Sequence, residues 1–449
     1  RMEALKEWER SQKFSGYNHE FYGEEILIDD VQYLNTKQVR QLYNKYEMEE
    51  YLGQILLLIK QGRHFGMECY YNAEQDIKII CHQHSRKMGL NNRRHAIFLD
   101  GIRRYELEDN ELEMIKDGFN ISRGMSFKLK AANLDFGGSK TVVQMPPMDI
   151  TDMGYIAYIF DKCRCMTGAD MKVPTELADV MNEHFSMNFT SGPKSPLGET
   201  GKPTAYGVYE TLKKAVLFKE GTDSLSGKKA VLMGLGAVGW YMGEHFLSEG
   251  VELYIADISD DRANEFIERH PGHSIEKCKV EEAMFLDVDI VSPCAVGNLI
   301  TAENIDDIKC SYIWGSANGQ ITASTPEEEI EIANLLAAKD ILFQTEWWHN
   351  TGGVICAAQE YLEGSNATYE KLIKYMDDNL PEATWNNLNQ AKELGITPTE
   401  NAYRVCKEYI YGNSGYINTI NEAKLYYENL ESVKDLSCLT MQTEYLEGL

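Results

Sequence analysis

A glycine-rich turn in the second half of the chain constrains the fold more than any other feature. The segment 234–239 reads GLGAVG and follows a short apolar run at 228–233. A helical pattern continues after it, and a second apolar run, 251–256, ends in Asp257. Closely spaced glycines let the backbone turn tightly against a pyrophosphate, the next helix points its N-terminus at the phosphates, and an acid suits a ribose diol. The complete strand–helix–strand unit predicts a Rossmann-type dinucleotide-binding domain.

The same unit predicts which dinucleotide is bound. Contacts to it are expected from the turn residues Gly234, Gly236, Ala237, Val238 and Gly239. The carboxylate of Asp257 would repel a 2′-phosphate, so NAD is expected in preference to NADP, with Arg262 placed to soften that preference. Further strand-like runs at 288–292 and 312–314, with helical spacing between them, are typical of an alternating, doubly wound α/β sheet.

A second stretch, KLKAANLDFGGSK at 128–140, has a lysine at each end. Two ammonium groups in one cleft repel each other, and burial disfavours their charged form, so one lysine is expected to lose its proton near neutral pH and act as a base. Gly137 and Gly138 lack a Cβ, which permits positive φ and the close approach of a ligand. The stretch predicts a binding site rather than a surface turn.

Composition excludes several classes of partner. The chain has 449 residues, enough for two domains, and a net charge of −26. Nucleic-acid and membrane partners are not expected, since the 44 basic residues form no long runs and the apolar runs are too short to span a bilayer. The N-terminus lacks the apolar core of a signal peptide, and the ten cysteines show no paired spacing. These features predict a cytoplasmic protein with reduced thiols.

The stretch 128–140 resembles the substrate-site signature of the glutamate, leucine, phenylalanine and valine dehydrogenases, K-x-A-x-A-G-L-x-x-G-G-G-K. By this resemblance, Lys128 holds the α-carboxylate of the substrate and Lys140 activates the water used in oxidative deamination. The chain departs from the signature at Asn133 and Ser139, where glycine is usual.

Two further matches extend the expected catalytic site. Thr167-Gly168-Ala169-Asp170 resembles the family's T-x-x-D, in which the aspartate exchanges a proton with the substrate amine. The family's Leu-Gly-Gly turn beside the substrate corresponds to Leu99, Asp100 and Gly101. A carboxylate at Asp100 is expected either to pair with Lys128 or to face the pocket and recruit a cationic or hydrogen-bonding group.

Other matches lie on the expected cofactor side. Thr204 begins a T-A-x-G-V motif whose threonine touches the nicotinamide carboxamide, and Asn350 matches the asparagine that orients the substrate in N-A-G-G-V. Loops at 293–297 and 315–320 resemble P-C-A-x-G and G-x-A-N-N-Q, and they place four more residues at the cofactor: Cys294, Ala295, Ala317 and Asn318. The aromatic segment 347–349 before Asn350 fits either core packing or a remodelled pocket.

The resemblance implies two α/β domains with a catalytic cleft between them. Residues 76–204 form the substrate domain, 205–350 the inserted NAD-binding domain, and 351–449 helices that pack back on the substrate domain. Residues 1–75 are an N-terminal extension, either a packed helical appendage or an oligomerisation or lid element. Members of the family are commonly oligomers, so a homo-oligomer is expected.

A metal site is not expected. Cys81, His82 and His84 are close in sequence, but neighbouring residues of a strand point to opposite faces, and no distant group with ligand spacing accompanies them.

The reaction implied is reversible, NAD-dependent oxidative deamination of an L-amino acid, including one with an aromatic or unusual side chain, to a 2-oxo acid and ammonia. Asp170 takes a proton from the substrate ammonium, hydride leaves the Cα atom, and Lys140 activates water to attack the iminium. One alternative is a repurposed nicotinamide-dependent enzyme of natural-product metabolism that forms or reduces an imine of another amine. A non-catalytic nucleotide-binding protein is the other.

Overall fold

The computed structural model describes residues 43–411, except residues 65, 73–74, 86–87, 89–95, 148–155, 158, 161–162, 164 and 185–188. The first 42 residues of the predicted extension and the chain after residue 411 therefore lie outside the described residues. Among the residues that the structure describes, no helix combines the length and apolar composition needed to cross a membrane.

The first domain contains a mixed six-stranded sheet. Its strands are β1 (Gly66–Asn72), β2 (Ile77–Gln83), β3 (Phe98–Leu99), β4 (Ile102–Tyr105), β5 (Gly137–Gln144) and β6 (Cys165–Met166). The order is β1-β2-β5-β3-β6, with β4 also paired to β5. Strand β2 is antiparallel to both of its neighbours, whereas β3 and β4 run parallel to β5. Strand β1 lies within the segment 1–75, and it is an integral part of this sheet.

The helices beside this sheet include α1 (Glu49–Gly62), α2 (Glu111–Ala131) and α3 (Glu176–His184). Helix α2 begins where the Asn110 side chain accepts hydrogen bonds from the backbone N–H groups of Leu112 and Glu113. Its last turn carries Lys128 and Lys130, whose charges suit the negative end of the helix dipole. The helix packs on β5, so its C-terminal lysine lies close to that strand.

The second domain is a six-stranded, fully parallel sheet. Its strands are β7 (Lys229–Met233), β8 (Glu252–Ala256), β9 (Ile275–Lys277), β10 (Ile290–Pro293), β11 (Tyr312–Ile313) and β12 (Leu342–Phe343). The order β12-β11-β10-β7-β8-β9 reverses direction beside β7. Ligands of such sheets bind at the carboxyl ends of the strands where the order reverses.

Helices surround this parallel sheet: α4 (Gly201–Glu220), α5 (Gly239–Ser248), α6 (Asp260–Arg269), α7 (Val280–Ala283) and α8 (Pro326–Ala338). Short 3-10 turns lie at Ile305–Asp307, Glu346–Trp348 and Gly364–Asn366. This arrangement confirms the predicted doubly wound α/β fold.

The chain then forms α9 (Gly352–Glu363), α10 (Tyr369–Leu394) and α11 (Pro398–Tyr411). These helices share one buried apolar cluster with α2, in which Phe127 lies among residues such as Ile355, Leu372 and Tyr403. Helix α10 also packs along α4. The C-terminal helices therefore join the two sheets and fix the cleft between them.

Candidate active site

Lys128 and Lys140 come together because α2 approaches β5 very closely. A Cβ on Gly138 would lie 2.2 Å from the backbone nitrogen of Ser126 in α2, and one on Gly137 would lie 2.1 Å from the carbonyl oxygen of Ser85. Neither glycine has a positive φ. Gly138 is thus explained by the close packing of α2 on β5, and Gly137 by the close approach of the backbone that follows β2. Neither needs the left-handed backbone anticipated from the sequence.

Lys140 lies at the centre of the polar site. Its side chain is 3% exposed and its ammonium donates a hydrogen bond to Oδ2 of Asp170. Burial lowers the pKa of Lys140, against the opposing charge of Asp170. Gly101 makes room for this ammonium, since a Cβ there would lie 3.1 Å from Nζ.

Asp170 also accepts a hydrogen bond of 2.8 Å from Nε of Arg103. Burial by itself would raise the pKa of Asp170, but Lys140 and Arg103 together lower it to about 2. The carboxylate is therefore ionised and held between two cations.

Lys128 faces the dinucleotide domain. Its ammonium lies 3.3 Å from Oδ1 of Asn318, to which it donates across the cleft. Burial lowers the pKa of Lys128 to about 8, although the nearby charges of Glu346 and Asp170 oppose this. A half-buried ammonium of this kind suits the carboxylate of a substrate.

Asp100 lies in a different place from either position expected for it. The residue is 5% exposed, and Oδ2 accepts hydrogen bonds from Thr141 (2.6 Å) and Ser139 (3.2 Å). Burial and the neighbouring Cys81 raise the pKa of Asp100 to about 6. Among the described residues the carboxylate does not pair with Lys128. It is closed off from solvent beneath β5, where Oδ2 satisfies two buried hydroxyls and Oδ1 has no hydrogen-bond partner in that part of the chain. Leu99, in turn, is a buried member of the apolar cluster.

The glycine turn after β7 has the shape of a phosphate cradle. Gly234 has φ +101°, and a Cβ on Gly239 would lie 1.9 Å from the Gly234 carbonyl oxygen. A Cβ on Gly236 would meet nothing within 4 Å. The outer glycines are therefore required by the turn itself, while the middle glycine leaves open space at the N-terminus of α5. Ala237 and Val238 complete this turn.

Asp257 follows β8, and its carboxylate accepts hydrogen bonds from the backbone N–H groups of Leu235 (2.6 Å) and Ser259 (2.8 Å). Arg262 lies nearby but is already engaged. Its Nε donates to the Leu235 carbonyl oxygen and its guanidinium stacks 4.2 Å from the Trp240 ring.

The remaining predicted cofactor residues gather at the same edge of the parallel sheet. Ala295 packs against Gly234, and burial raises the pKa of the Cys294 thiol. Ala317 and Asn318 follow β11. Asn350 donates to Asn318 (2.9 Å) and to the Ser316 carbonyl oxygen (3.0 Å).

Three features of this edge fit a nicotinamide dinucleotide. Oδ1 of Asn350 is buried and has no partner among the described residues, so it can accept a hydrogen bond from a ligand. Thr204, on α4, lies beside Gly353 at the start of α9, and its hydroxyl donates to the Thr200 carbonyl oxygen. The open space at Gly236 completes a site for the pyrophosphate.

The aromatic segment before Asn350 belongs to the core. Trp347 packs against Phe127 and Tyr403, with ring centroids 5.4 and 5.1 Å away. His349 stacks on Trp314 at 4.4 Å and donates from Nε2 to the Gly315 carbonyl oxygen. Core packing thus accounts for Trp347 and His349.

Sequence reasoning missed three charged residues of the site. Arg103 contacts Asp170, and Asp117 contacts Arg103. Glu346 accepts a 2.8 Å hydrogen bond from the Gly319 N–H, and its negative charge raises the pKa of Lys128 against burial. Arg103 follows Gly101 by two residues, and this proximity to the glycine turn was the available signal. Nothing local distinguishes Asp117 on a polar helix.

No three His, Cys, Asp or Glu side chains within the described ranges are arranged to hold a metal ion. His82 points to Phe119 of α2, with ring centroids 4.6 Å apart, while Cys81 contacts the hydroxyl of Thr141 at 3.2 Å. The described cysteines are all free thiols.

The fold and the site define a class: a two-domain oxidoreductase with a dinucleotide cradle on one side of a cleft and paired lysines on the other. Comparison with known proteins shows which family of oxidoreductases this chain resembles. A family model described as Glutamate/Leucine/Phenylalanine/Valine dehydrogenase matches residues 249–411. Phenylalanine dehydrogenase of Lysinibacillus sphaericus is 31% identical over 325 residues, which cover 70% of this chain and 82% of that protein.

Solved structures of amino-acid dehydrogenases are similar to this chain. The crystal structure of L-tryptophan dehydrogenase from Nostoc punctiforme matches with a TM-score of 0.64 and 26% identity, covering 78% of this chain and 98% of that one. A hetero-hexameric glutamate dehydrogenase from Thermus thermophilus matches in fold, with a TM-score of 0.61 and 15% identity over 81% of this chain and 94% of that one.

The chain belongs to the glutamate, leucine, phenylalanine and valine dehydrogenase family. It is an amino-acid dehydrogenase, an oxidoreductase that deaminates an amino acid with a nicotinamide dinucleotide. This confirms the predicted reaction class. The imine-forming alternative finds no support in these relatives, and the non-catalytic alternative is wrong.

Proposed function

We propose that this enzyme catalyses the reversible, NAD-dependent oxidative deamination of an apolar L-amino acid, with aromatic side chains preferred. The observation that carries the proposal is the buried Lys140 ammonium paired with Asp170, beside the half-buried Lys128. This arrangement offers a half-buried lysine for a substrate carboxylate, a fully buried lysine beside an acid, and a carboxylate placed to exchange protons.

Each group has a distinct task in the proposed reaction. Lys128 binds the substrate carboxylate in place of its present partner Asn318. Asp170 accepts a proton from the substrate ammonium, so that the amine lone pair can assist the departure of hydride from Cα. Neutral Lys140 then takes a proton from the water that attacks the iminium carbon. The cleft walls exclude other water from these steps.

The residues present suit NAD, which when bound supplies the hydride acceptor. Gly234, Gly236 and Gly239 would hold its pyrophosphate, and Asp257 its ribose diol. Asn350 and Thr204 would hold the nicotinamide amide. The engagement of Arg262 with Leu235 and Trp240 supports NAD over NADP, because that guanidinium is not free to receive a 2′-phosphate.

The preference for an aromatic side chain draws support from relatives named for phenylalanine and tryptophan. We also propose a homo-oligomer in the cytoplasm. A hexameric neighbour supports an oligomer, although that neighbour is described as hetero-hexameric.

A screen tests the proposal. Purified enzyme is mixed with NAD and each proteinogenic amino acid, and the absorbance of reduced nicotinamide is followed. Phenylalanine and tryptophan are expected among the best substrates, with 2-oxo acid and ammonia formed in equal amounts. Failure of every amino acid to reduce NAD or NADP would overturn the proposed function.

Lys140→Ala tests the mechanism. Turnover is expected to fall by at least about two orders of magnitude, the scale of losing a general base, while NAD affinity measured by fluorescence titration stays near wild type. Lys116→Ala, at an exposed lysine on α2, is the control and should leave turnover unchanged. Normal turnover in Lys140→Ala would contradict the mechanism.

A further inference from the structure

Arg103 connects two carboxylates that belong to different elements. From β4, its Nε donates to Oδ2 of Asp170 at 2.8 Å and its Nη1 donates to Oδ2 of Asp117, on α2, at 2.9 Å. Tyr105, two residues along β4, also donates to Asp117. A planar guanidinium held at both ends has little freedom to rotate, so its position relative to Asp170 is determined by α2.

The proposed reaction changes the charge around Asp170. In the present state Lys140 and Arg103 both neutralise this carboxylate. When Lys140 is neutral, one of the two cations beside this carboxylate is lost, and the carboxylate, whose side chain is 37% exposed, is then held less strongly in its ionised form. Arg103 cannot lose its own proton at ordinary pH, so it is the cation that remains.

We propose that Arg103 is a positioning residue that keeps Asp170 ionised and directed at the substrate amine while Lys140 is neutral, and that Asp117 fixes Arg103 in this role. This inference rests on the proposed function. Arg103 does not contact the reacting atoms, and it acts only through Asp170.

The charges around Asp170 predict the direction in which the pH profile of the enzyme should move when Arg103 is replaced. Three cations lie around Asp170: Lys140 on β5, Arg103 on β4 and Lys128 on α2. Burial lowers the pKa of Lys140, Asp170 opposes this, Arg103 adds to the lowering, and Asp100 opposes it weakly. Removing Arg103 therefore raises the pKa of both Asp170 and Lys140. Since the reaction needs both groups deprotonated, the acid limb of the pH profile should move to higher pH.

The experiment compares pH profiles of kcat and kcat/KM for wild type, Arg103→Gln and Arg103→Lys. Arg103→Gln is expected to lower kcat/KM at least about tenfold near neutral pH and to move the acid limb upward by about one pH unit. Arg103→Lys restores the charge without the fork that reaches two carboxylates, so it should recover the position of the limb but only part of kcat.

Arg104→Gln is the matched control, because it removes the same charge from the adjacent position of β4, where Arg104 pairs with Glu106. Its acid limb should stay at the wild-type pH. A folded Arg103→Gln enzyme with a wild-type pH profile would overturn the role of Arg103.

If Arg103→Gln does not fold, the variant Asp117→Asn tests the positioning role of Arg103 instead. It keeps the guanidinium but loosens it, so kcat is expected to fall while the acid limb stays in place, and an unchanged kcat would overturn the inference. Wild type that turns over no amino acid would overturn the proposed function and this role together. Active wild type with unaffected variants would overturn this role alone.

Discussion

At the residue scale, two departures from the family's motifs have a simple conformational explanation. Asn133 stands where glycine is usual and has φ +55°, and Gly319 stands where asparagine is usual and has φ +61°. Glycine and asparagine are the residues that adopt the left-handed region most readily. Both exchanges therefore preserve the backbone, and neither needs a change of substrate to account for it.

The other two departures compensate each other. Asp100 and Ser139 both replace glycines, and their side chains are hydrogen bonded at 3.2 Å in the buried space beneath Lys140. Thr141 donates to the same carboxylate oxygen. A buried hydroxyl without an acceptor costs about 1–3 kcal/mol, so each replacement stabilises the other.

A double-mutant cycle tests this coupling. Asp100→Gly alone should destabilise the fold by about 1–3 kcal/mol, because it leaves the Ser139 and Thr141 hydroxyls without their acceptor. The double variant Asp100→Gly/Ser139→Gly should recover about 1 kcal/mol relative to the sum of the single variants. Unfolding free energies from denaturant titrations measure the cycle. Strictly additive values would mean that the two side chains are independent.

Asp257 is the residue for which cofactor preference can be tested directly. Asp257→Ser keeps an oxygen that can accept from Leu235 N–H but removes the charge that would repel a 2′-phosphate. The ratio of kcat/KM for NAD to that for NADP is expected to fall at least about tenfold, equivalent to roughly 1.4 kcal/mol. Asp260→Ser, at an exposed carboxylate three residues further on, is the control. Wild-type preference for NADP would contradict the role given to Asp257.

At the scale of elements, the contact between β2 and α2 contains unusual buried groups. His82 is fully buried, its Nδ1–H donates to the Lys140 carbonyl oxygen at 3.0 Å, and a Cβ on Gly118 would collide with its ring at 2.2 Å. His84 bonds the hydroxyl of Tyr411 at 2.7 Å. His82 thus attaches β2 to α2, and His84, just after β2, attaches this end of the strand to α11.

Burial gives these histidines a defined effect on stability. It lowers the pKa of His82 to about 4 and that of His84 to about 3. The unfolded chain binds protons near pH 6.5, whereas the native chain does not until far lower pH. Above pH 6.5 the two buried neutral rings therefore do not lower the free energy of unfolding. As the pH falls from 6.5 towards 4, proton uptake by the unfolded chain lowers it.

The pH dependence of unfolding tests this sign. In His82→Asn the slope of the free energy of unfolding against pH should be less positive than in wild type near pH 5, by about 1 kcal/mol per pH unit, the share of one proton. The exposed His273→Asn is the control and should keep the wild-type slope. Equal slopes for His82→Asn and wild type would mean that His82 is protonated in the native state.

At the scale of the whole molecule, a short polar network joins the two domains. Lys128 of α2 donates to Asn318 in the dinucleotide domain, 190 residues away, and Asn350 donates to the same amide oxygen. Glu346 meanwhile binds the N–H of Gly319. The cation proposed to bind substrate is thus attached to the loop proposed to bind cofactor.

This network predicts competition with the substrate. Asn318→Asp would place a carboxylate about 3.3 Å from Lys128, where it occupies the ammonium more strongly than an amide does. The KM of the amino acid is expected to rise at least about tenfold, with a smaller effect in Asn318→Ala, which adds no charge. NAD affinity of each variant is measured separately. An unchanged KM in Asn318→Asp would mean that Lys128 does not bind the substrate carboxylate.

Much of this molecule was predictable from local sequence. The glycine turn, its flanking strands and Asp257 lie within thirty consecutive residues, and their geometry depends on steric limits and hydrophobic periodicity that act over a few residues. Lys128, Lys140 and Asp170 were likewise identified by motifs, and the structure brings the three together.

Contacts between distant segments were not predictable in this way. Arg103 meets Asp170 from 67 residues away, and Asp100 meets Ser139 from 39. The first contact exists because Ile102 of β4 pairs with Ala169, next to Asp170, and the second because β3 pairs with β5. No local pattern encodes either pairing. The sequence by itself determined the chemical groups and the dinucleotide turn. The tertiary structure alone decided which charge faces which, since electrostatic partners depend on distance in space and not along the chain.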